Sequence, residues 1–184
     1  VNVKDYILHD LRKKVAIVLQ DTILFSGTIR DNIKWGKEDA TEEEVIAAAK
    51  AAQAHDFIME LPDQYDTELG QRGVNVSGGQ KQRISIARAL IQDPDILIFD
   101  DSTSALDNVT EKKLQHSLKV FRPNCTKFII AQRISSVMHA DRIFVLNGGK
   151  IVASGQHEEL LKTSPDYQEI YASQNKRLTI KSQV

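Results

Sequence analysis

Four short runs of apolar residues constrain this chain most: Val15-Ala16-Ile17-Val18-Leu19, Ile96-Leu97-Ile98-Phe99, Phe128-Ile129-Ile130-Ala131 and Ile143-Phe144-Val145-Leu146. Each is continuous rather than alternating, and each is too short for a buried helix. Strands of a parallel sheet covered on both faces read this way. Helical patterns separate the runs, so the order predicts an α/β domain with a mostly parallel sheet. After Leu146 comes Asn147-Gly148-Gly149 and then Ile151-Val152-Ala153. An Asn-Gly step supplies the positive φ angles of a tight hairpin, so the far edge of the sheet is expected to be antiparallel.

A long polar and helical insert, about residues 21–93, separates the first run from the second. Thr41-Glu42-Glu43-Glu44 is a capping box, and Val45, Ala48, Ala49 and Ala52 then share one helix face, until Leu61-Pro62-Asp63 ends the pattern. A second helix is expected from Ser77 through Ile84, Ala87 and Ile91 to the stop at Asp93-Pro94. A third starts near Asp107, with Leu114, Leu118 and Phe121 turned inward. From about Asn175 the chain reads as a polar, poorly ordered tail. One domain with a helical lobe is the simplest organisation.

Lys+Arg 24 against Asp+Glu 25 leaves a formal net charge of -1, which gives no electrostatic reason to expect nucleic acid as the main partner. No apolar stretch approaches the roughly 18 residues needed to cross a bilayer. The single Cys125 excludes an intramolecular disulfide and reads as a small core residue. His9, His55, His116, His139 and His157 lack metal-ligand spacing. Trp35 reads as packing, and Lys112-Lys113 and Lys176-Arg177 as solvated faces.

Two places carry chemistry. Val76-Ser77-Gly78-Gly79-Gln80-Lys81-Gln82-Arg83 opens a helix, and two glycines there leave backbone amides uncovered where the helix dipole is positive, so a phosphate can approach. An ordinary S-x-x-Q capping box explains Ser77 and Gln80 equally well. Ile96 to Phe99 ends in Asp100-Asp101 at the carboxyl edge of a buried strand, the edge where open α/β sheets bind ligands. A carboxylate there can hold Mg²⁺ against nucleotide phosphates, and it can equally serve as a turn or cap. Gln20 is a third, weaker candidate at the end of the first strand.

Taken together these residues resemble the nucleotide-binding domain of ABC transporters, over nearly the whole chain. Val76 to Gln80 resembles the family signature L-S-G-G-Q, with Val in place of Leu, and Ile96 to Asp100 resembles Walker B. Gln20 matches the Q-loop glutamine, Ser104-Ala105-Leu106-Asp107 the D-loop, and Glu68-Leu69-Gly70-Gln71-Arg72-Gly73 the X-loop of exporters. Phe25 to Ile33 is worded most like multidrug and lipid exporters. The resemblance implies a partial P-loop NTPase (RecA-like) fold with an inserted helical signature subdomain. It implies ATP and Mg²⁺ as cofactors, with Gln20 and Asp100 toward the metal and Gln20, Asp100, Asp101 and Gln132 toward the nucleotide. The expected divisions are residues 21–93 for the Q-loop and helical subdomain and 94–160 for Walker B, D-loop and switch region, with a flexible tail at 175–184.

Three departures stand beside the match. The phosphate loop G-x-x-x-x-G-K-[ST] is not in the sequence, so the chain is read as the C-terminal part of a nucleotide-binding domain from a longer polypeptide with a membrane domain. Asp101 stands where the family has its catalytic glutamate, and one methylene less withdraws the carboxylate by about 1 Å. Gln132 stands where the switch region has histidine, and an amide carries no proton in catalysis. This combination resembles the degenerate half of a heterodimeric exporter at the cytoplasmic face of the membrane. Such a half completes its partner's ATP site with Ser77, Gly78, Gly79, Gln80 and the D-loop residues, while its own catalytic positions, Asp101 and Gln132, turn over slowly. The alternative is a non-catalytic regulatory or structural module without nucleotide binding. If the sheet is ordered as expected, removing the phosphate-loop strand leaves a gap beside the Asp100 strand. The isolated chain is then expected to be marginally stable and to bind Mg-ATP weakly at best.

Overall fold

The computed structural model describes residues 2–70 and 75–181, with side chains through 174. The chain divides into two compact units, Val1–Ile130 and Ala131–Val184, a boundary inside the segment expected to hold Walker B and switch region together.

The first unit is built on three parallel strands, β1 (Val15–Val18), β2 (Ile96–Asp100) and β3 (Thr126–Ile130), in the order β1-β2-β3. Val18 pairs with Phe99, and Phe99 with Ile129. The expected gap beside the Asp100 strand is therefore not there: β2 is hydrogen-bonded on both flanks. The expectation of two covered faces also fails. Ala16, Val18, Leu97 and Phe99 are buried, while Ile17, Leu19, Ile96, Phe128 and Ile130 are 39–55% exposed, so the face they share is open among the described residues. Apolar residues on both sides of a strand show that both faces can be buried, not that this unit buries them.

Against the covered face lies one continuous apolar core that joins the sheet to the helical layer. After α1 (Leu8–Lys13), that layer comprises α2 (Ile29–Lys34), α3 (Glu42–Ala51), α4 (His55–Met59), α5 (Gly78–Leu90) and α6 (Asn108–Phe121). Helix α3 starts at the expected capping box, and Val45, Ala48, Ala49 and Ala52 are all fully buried. It does not run on to Leu61. Ala52 ends it and Gln53 takes φ 58, a left-handed turn from which α4 restarts. Helix α2 has a second capping box, Thr28 with Asp31. Arg30 ties α2 to its surroundings by ion pairs with Glu42 and with Asp66, the latter at 3.0 Å.

In the second unit, β4 (Ile143–Asn147) and β5 (Lys150–Gly155) form a two-stranded antiparallel sheet of their own, so Ile143 to Leu146 is not a central strand. Gly148 (φ 56) and Gly149 (φ 75) make the turn, and Asn147 pairs across it with Lys150. Two glycines with positive φ are what a type I′ hairpin requires. Helices α7 (His157–Thr163) and α8 (Pro165–Lys181) follow, and Leu160 and Tyr167 join Ile134, Ile143 and Val145 in a separate core. The helix continues through 175–181, where a poorly ordered tail is expected.

Candidate functional site

Helix α5 begins where the two-glycine motif predicts. Ser77 is its N-cap: the Ser77 Oγ accepts from the Gln80 amide at 3.3 Å, and Gln80 Oε1 accepts from the Ser77 amide at 2.8 Å. The reciprocal cap is thus present. The first helical bond made from within the motif's reach is Lys81 N–H to the Ser77 carbonyl at 2.9 Å, so the amides of Gly78 and Gly79 precede the ladder, as first-turn amides do. Ser77 and Gly78 are exposed and Gly79 is half-buried.

These residues face a loop that is 27 positions away in sequence. Ser77, Gly78, Gly79 and Arg83 line a cavity of about 440 Å³ together with Ala105, Leu106, Asp107 and Thr110. The two segments that resemble the signature and the D-loop therefore share one cavity. Asp107 caps α6 by accepting from the Val109 and Thr110 amides, both at 3.0 Å, and from the Thr110 hydroxyl at 2.6 Å. The Thr110 hydroxyl, followed by the Thr110 amide, holds the Asp107 carboxyl below the usual aspartate range. Across the cavity the Arg83 guanidinium donates to the Gly79 carbonyl at 3.2 Å and the Gln53 carbonyl at 2.8 Å, and lies 4.5 Å above the Phe57 ring. Burial lowers its pKa, and the Asp107 and Asp56 charges oppose that shift.

Asp100 ends β2 opposite Ile130, and Gln20 follows β1 at the same edge of the sheet. The Asp101 amide donates to the Ile130 carbonyl at 2.8 Å, and Asp101 takes φ 45. Aspartate enters this left-handed region more readily than most residues with a side chain. The loop beyond is braced by Thr103, whose hydroxyl donates to Glu111 Oε1 at 2.8 Å. Glu111 is 4% exposed. Among the described residues no three His, Cys, Asp or Glu side chains gather to hold a metal unaided. The Asp100 carboxylate and the Gln20 amide are hard oxygen donors at a ligand-binding edge, and they fit Mg²⁺ of the kind that phosphates and water also coordinate. Gln132 belongs to the second unit, where its carbonyl accepts from Gln174 Nε2 at 2.8 Å.

The segment after Gln20 is held from α5. Arg88 donates to the Ile23 carbonyl at 2.9 Å and to the Asn32 carbonyl and Oδ1, both at 2.8 Å, with its guanidinium 5.0 Å above the Phe25 ring. Asn32, 2% exposed, closes the loop through the Phe25 amide and carbonyl, both at 2.9 Å. Trp35 stacks on Phe25 with ring centroids 4.6 Å apart. Glu68 and Leu69 form a short strand with Gly27 and Thr28. Gln71, Arg72 and Gly73 of the X-loop resemblance lie outside the described residues, as do the side chains of Lys176 and Arg177.

Gln82 and Arg83 stand in the motif that opens α5, and Asn32 in the segment Phe25 to Ile33, but no role is legible in the sequence for them or for Arg88. One signal for two of them was available: Gln82 falls in the α5 stripe with Ile86 and Ala89, and Asn32 in the α2 stripe with Ile29 and Ile33. A polar residue inside an apolar stripe needs a buried partner.

The parallel α/β sheet with Asp100 at its carboxyl edge agrees with a P-loop NTPase fold, the class to which the structural likeness below assigns it. The sequence matches the ABC transporter family model over residues 1–104, and the chain belongs to that family. It is 56% identical over 169 residues to an uncharacterized ABC transporter ATP-binding protein, YknU, of Bacillus subtilis, covering 92% of this chain and 29% of the relative. A Staphylococcus aureus relative with the provisional name multidrug export ATP-binding/permease protein is 50% identical over 174 residues, covering 95% of this chain and 30% of its own length. The fold is similar to that of a bacterial Atm1-family ABC exporter with ATP bound, with TM-score 0.87 and 43% identity over 90% of this chain and 29% of that one. The chain thus spans about 30% of the length of these relatives. Among the described residues no helix is long and apolar enough to cross a membrane.

Proposed function

We propose that this chain is the C-terminal part of the nucleotide-binding domain of an ABC exporter, in which ATP binding and hydrolysis drive export across a membrane. It works at the cytoplasmic face, joined to a transmembrane domain. Its partner is a second nucleotide-binding domain in a heterodimer. The observation that carries this reading is the cavity that unites Ser77, Gly78 and Gly79 with Ala105 to Asp107. In the family, signature and D-loop of one domain face the ATP held by the other, and here both form one surface.

Its own ATP site is degenerate. Asp100 and Gln20 would hold Mg²⁺, which when bound with ATP neutralises charge on the phosphates. Asp101 keeps a carboxylate for orienting water but sets it back by about 1 Å, a displacement that can cost roughly 100-fold in rate. Gln132 offers the γ-phosphate an amide donor in place of an imidazole. The division of the domain into a helical subdomain at 21–93 and a Walker B, D-loop and switch segment at 94–160 belongs to the same proposal. The open apolar sheet face and the share of the relatives that the chain spans support its being part of a larger domain.

The test is turnover of the full-length heterodimer with the partner's catalytic glutamate removed, so that only the site of this chain can hydrolyse ATP. Asp101→Glu together with Gln132→His should raise that turnover by at least about 10-fold. Unchanged turnover would sink the degenerate-site reading.

A further inference from the structure

Helix α5 meets the loop of residues 104–107 at Ala105, whose backbone N–H and C=O both lie against its first turns. Gln82 is 4% exposed, and its Oε1 accepts from the Ala105 amide at 3.2 Å. Gly79 lies three residues earlier on the same face of the helix, and a Cβ placed there would sit 3.1 Å from the Ala105 carbonyl oxygen. The loop backbone thus rests on the first turn of α5, with its N–H held by Gln82 and its C=O laid over Gly79. Other hydrogen bonds of the loop run elsewhere. Ser104 N–H reaches the Asp101 carbonyl at 3.3 Å, Leu106 N–H the Thr103 carbonyl at 3.0 Å, and Asp107 is occupied with the start of α6.

The base of this contact is itself braced. Arg83, the next residue, binds the Gly79 carbonyl and reaches across to the Gln53 carbonyl and the Phe57 ring, which fixes the first turn of α5 on the helical layer. A buried glutamine is a costly way to fill space, since its amide loses water and gains only what its partners return. Methionine would fill the same volume without that cost. The hydrogen bond is what glutamine adds.

We propose that Gln82 is a positioning residue that locks Ala105 to the first turn of α5, so that the amides of Gly78 and Gly79 and the loop residues Leu106 and Asp107 meet a nucleotide as one preset surface. This rests on the reading that the cavity serves the partner's ATP. Gln82 touches no nucleotide in this role. Its loss leaves both segments present but free to drift against each other, which lowers the rate of the step they serve more than it lowers binding.

The experiment uses the full-length transporter with its partner. Gln82→Met removes the acceptor and keeps the volume, Gln82→Glu keeps an acceptor oxygen, and Gly78→Asp blocks the signature itself. Gln82→Met should lower kcat for ATP by about 10-fold with KM within about twofold, and Gln82→Glu should recover to within about threefold of the parent. In the parent the Ala105 amide should exchange with solvent at least about 10-fold more slowly than an unprotected amide, and Gln82→Met should abolish that protection. Parent turnover in Gln82→Met, or Met and Glu falling alike, would overturn the proposal. If Gln82→Met does not fold, the exchange of Ala105 in the parent decides: fast exchange overturns it and slow exchange supports it. Gly78→Asp separates the two levels. Loss of turnover there with none in Gln82→Met refutes only the role of Gln82, whereas unchanged turnover in Gly78→Asp refutes the reading of the cavity beneath it.

Discussion

Replacing Arg88 with methionine keeps most of its volume and removes three hydrogen bonds, to the Ile23 carbonyl, the Asn32 carbonyl and Asn32 Oδ1. Burial alone pushes the Arg88 pKa down to about 10, so the guanidinium carries a desolvation cost that those bonds offset. In the variant, Asn32 Oδ1 still accepts from the Phe25 amide, but two carbonyls lose this charged donor. At about 1–1.5 kcal/mol for each, the loss comes to about 2–3 kcal/mol. Arg88→Lys puts a point charge where a fork stood and should recover less than half of it. The assay is urea unfolding followed at Trp35, the one tryptophan of the chain, which stacks on Phe25 under the Arg88 guanidinium. At a slope of roughly 2 kcal/mol/M, the midpoint should fall by about 1–1.5 M in Arg88→Met, with a red shift of native emission as the ring pair loosens. A midpoint within about 0.25 M of the parent, or lysine matching arginine, would refute this account of how the segment after Gln20 is held.

Gly36→Ala should destabilise by more than about 2 kcal/mol in the same unfolding assay, because a Cβ there runs into the Arg88 carbonyl and the Ile91 side chain; a silent substitution would contradict the close approach of α2 and α5. Ser102, 1% exposed and with no hydrogen-bond partner for its Oγ among the described residues, should tolerate Ser102→Ala with a gain of up to about 1 kcal/mol in thermal stability, and a loss above that size would show a partner for the hydroxyl. Asp101→Glu forces a less suited side chain to φ 45, so it should cost about 0.5–1 kcal/mol of stability even where it raises turnover; an unchanged melting temperature would show the backbone relaxing. The Asp31, Glu44 and Asp107 carboxyls are held below their ordinary values, first by hydrogen bonds to Thr28, Lys37 and Thr110 respectively. The folded chain then binds fewer protons than the unfolded one, so this stability is present above the ordinary carboxylate range near pH 4 and is lost as pH falls through the lowered values. The urea midpoint should be flat from pH 7 to about 5 and fall below about 4, less steeply in Asp107→Asn; a midpoint level down to about pH 3 would refute it.

What could be read from the residues was local. The capping boxes at Thr41 and Ser77 appear as expected because each closes within four residues, and the buried face of α3 follows from helical spacing alone. The parallel strands were legible as apolar runs. Which of their faces is covered was not, because Ile17 and Val18 are equally apolar and only the packing of helices tells them apart. The hairpin turn was legible as a place, but its register was not: Gly148 and Gly149 rather than Asn147 take the positive φ angles. At the site, the glycines and Asp100 announce themselves by residue type at a helix start and a strand end. Gln82 with Ala105, and Arg88 with Ile23, are pairs separated by 23 and 65 positions, and nothing local to either partner specifies the other.

The deciding observation is the structure of the full-length heterodimer closed on Mg-ATP. The phosphate chain held by the partner should lie in the cavity of Ser77, Gly78, Gly79 and Asp107, within hydrogen-bonding distance of the first-turn amides of α5. A closed dimer with that cavity facing solvent, and its nucleotides bound elsewhere, would contradict the proposed function.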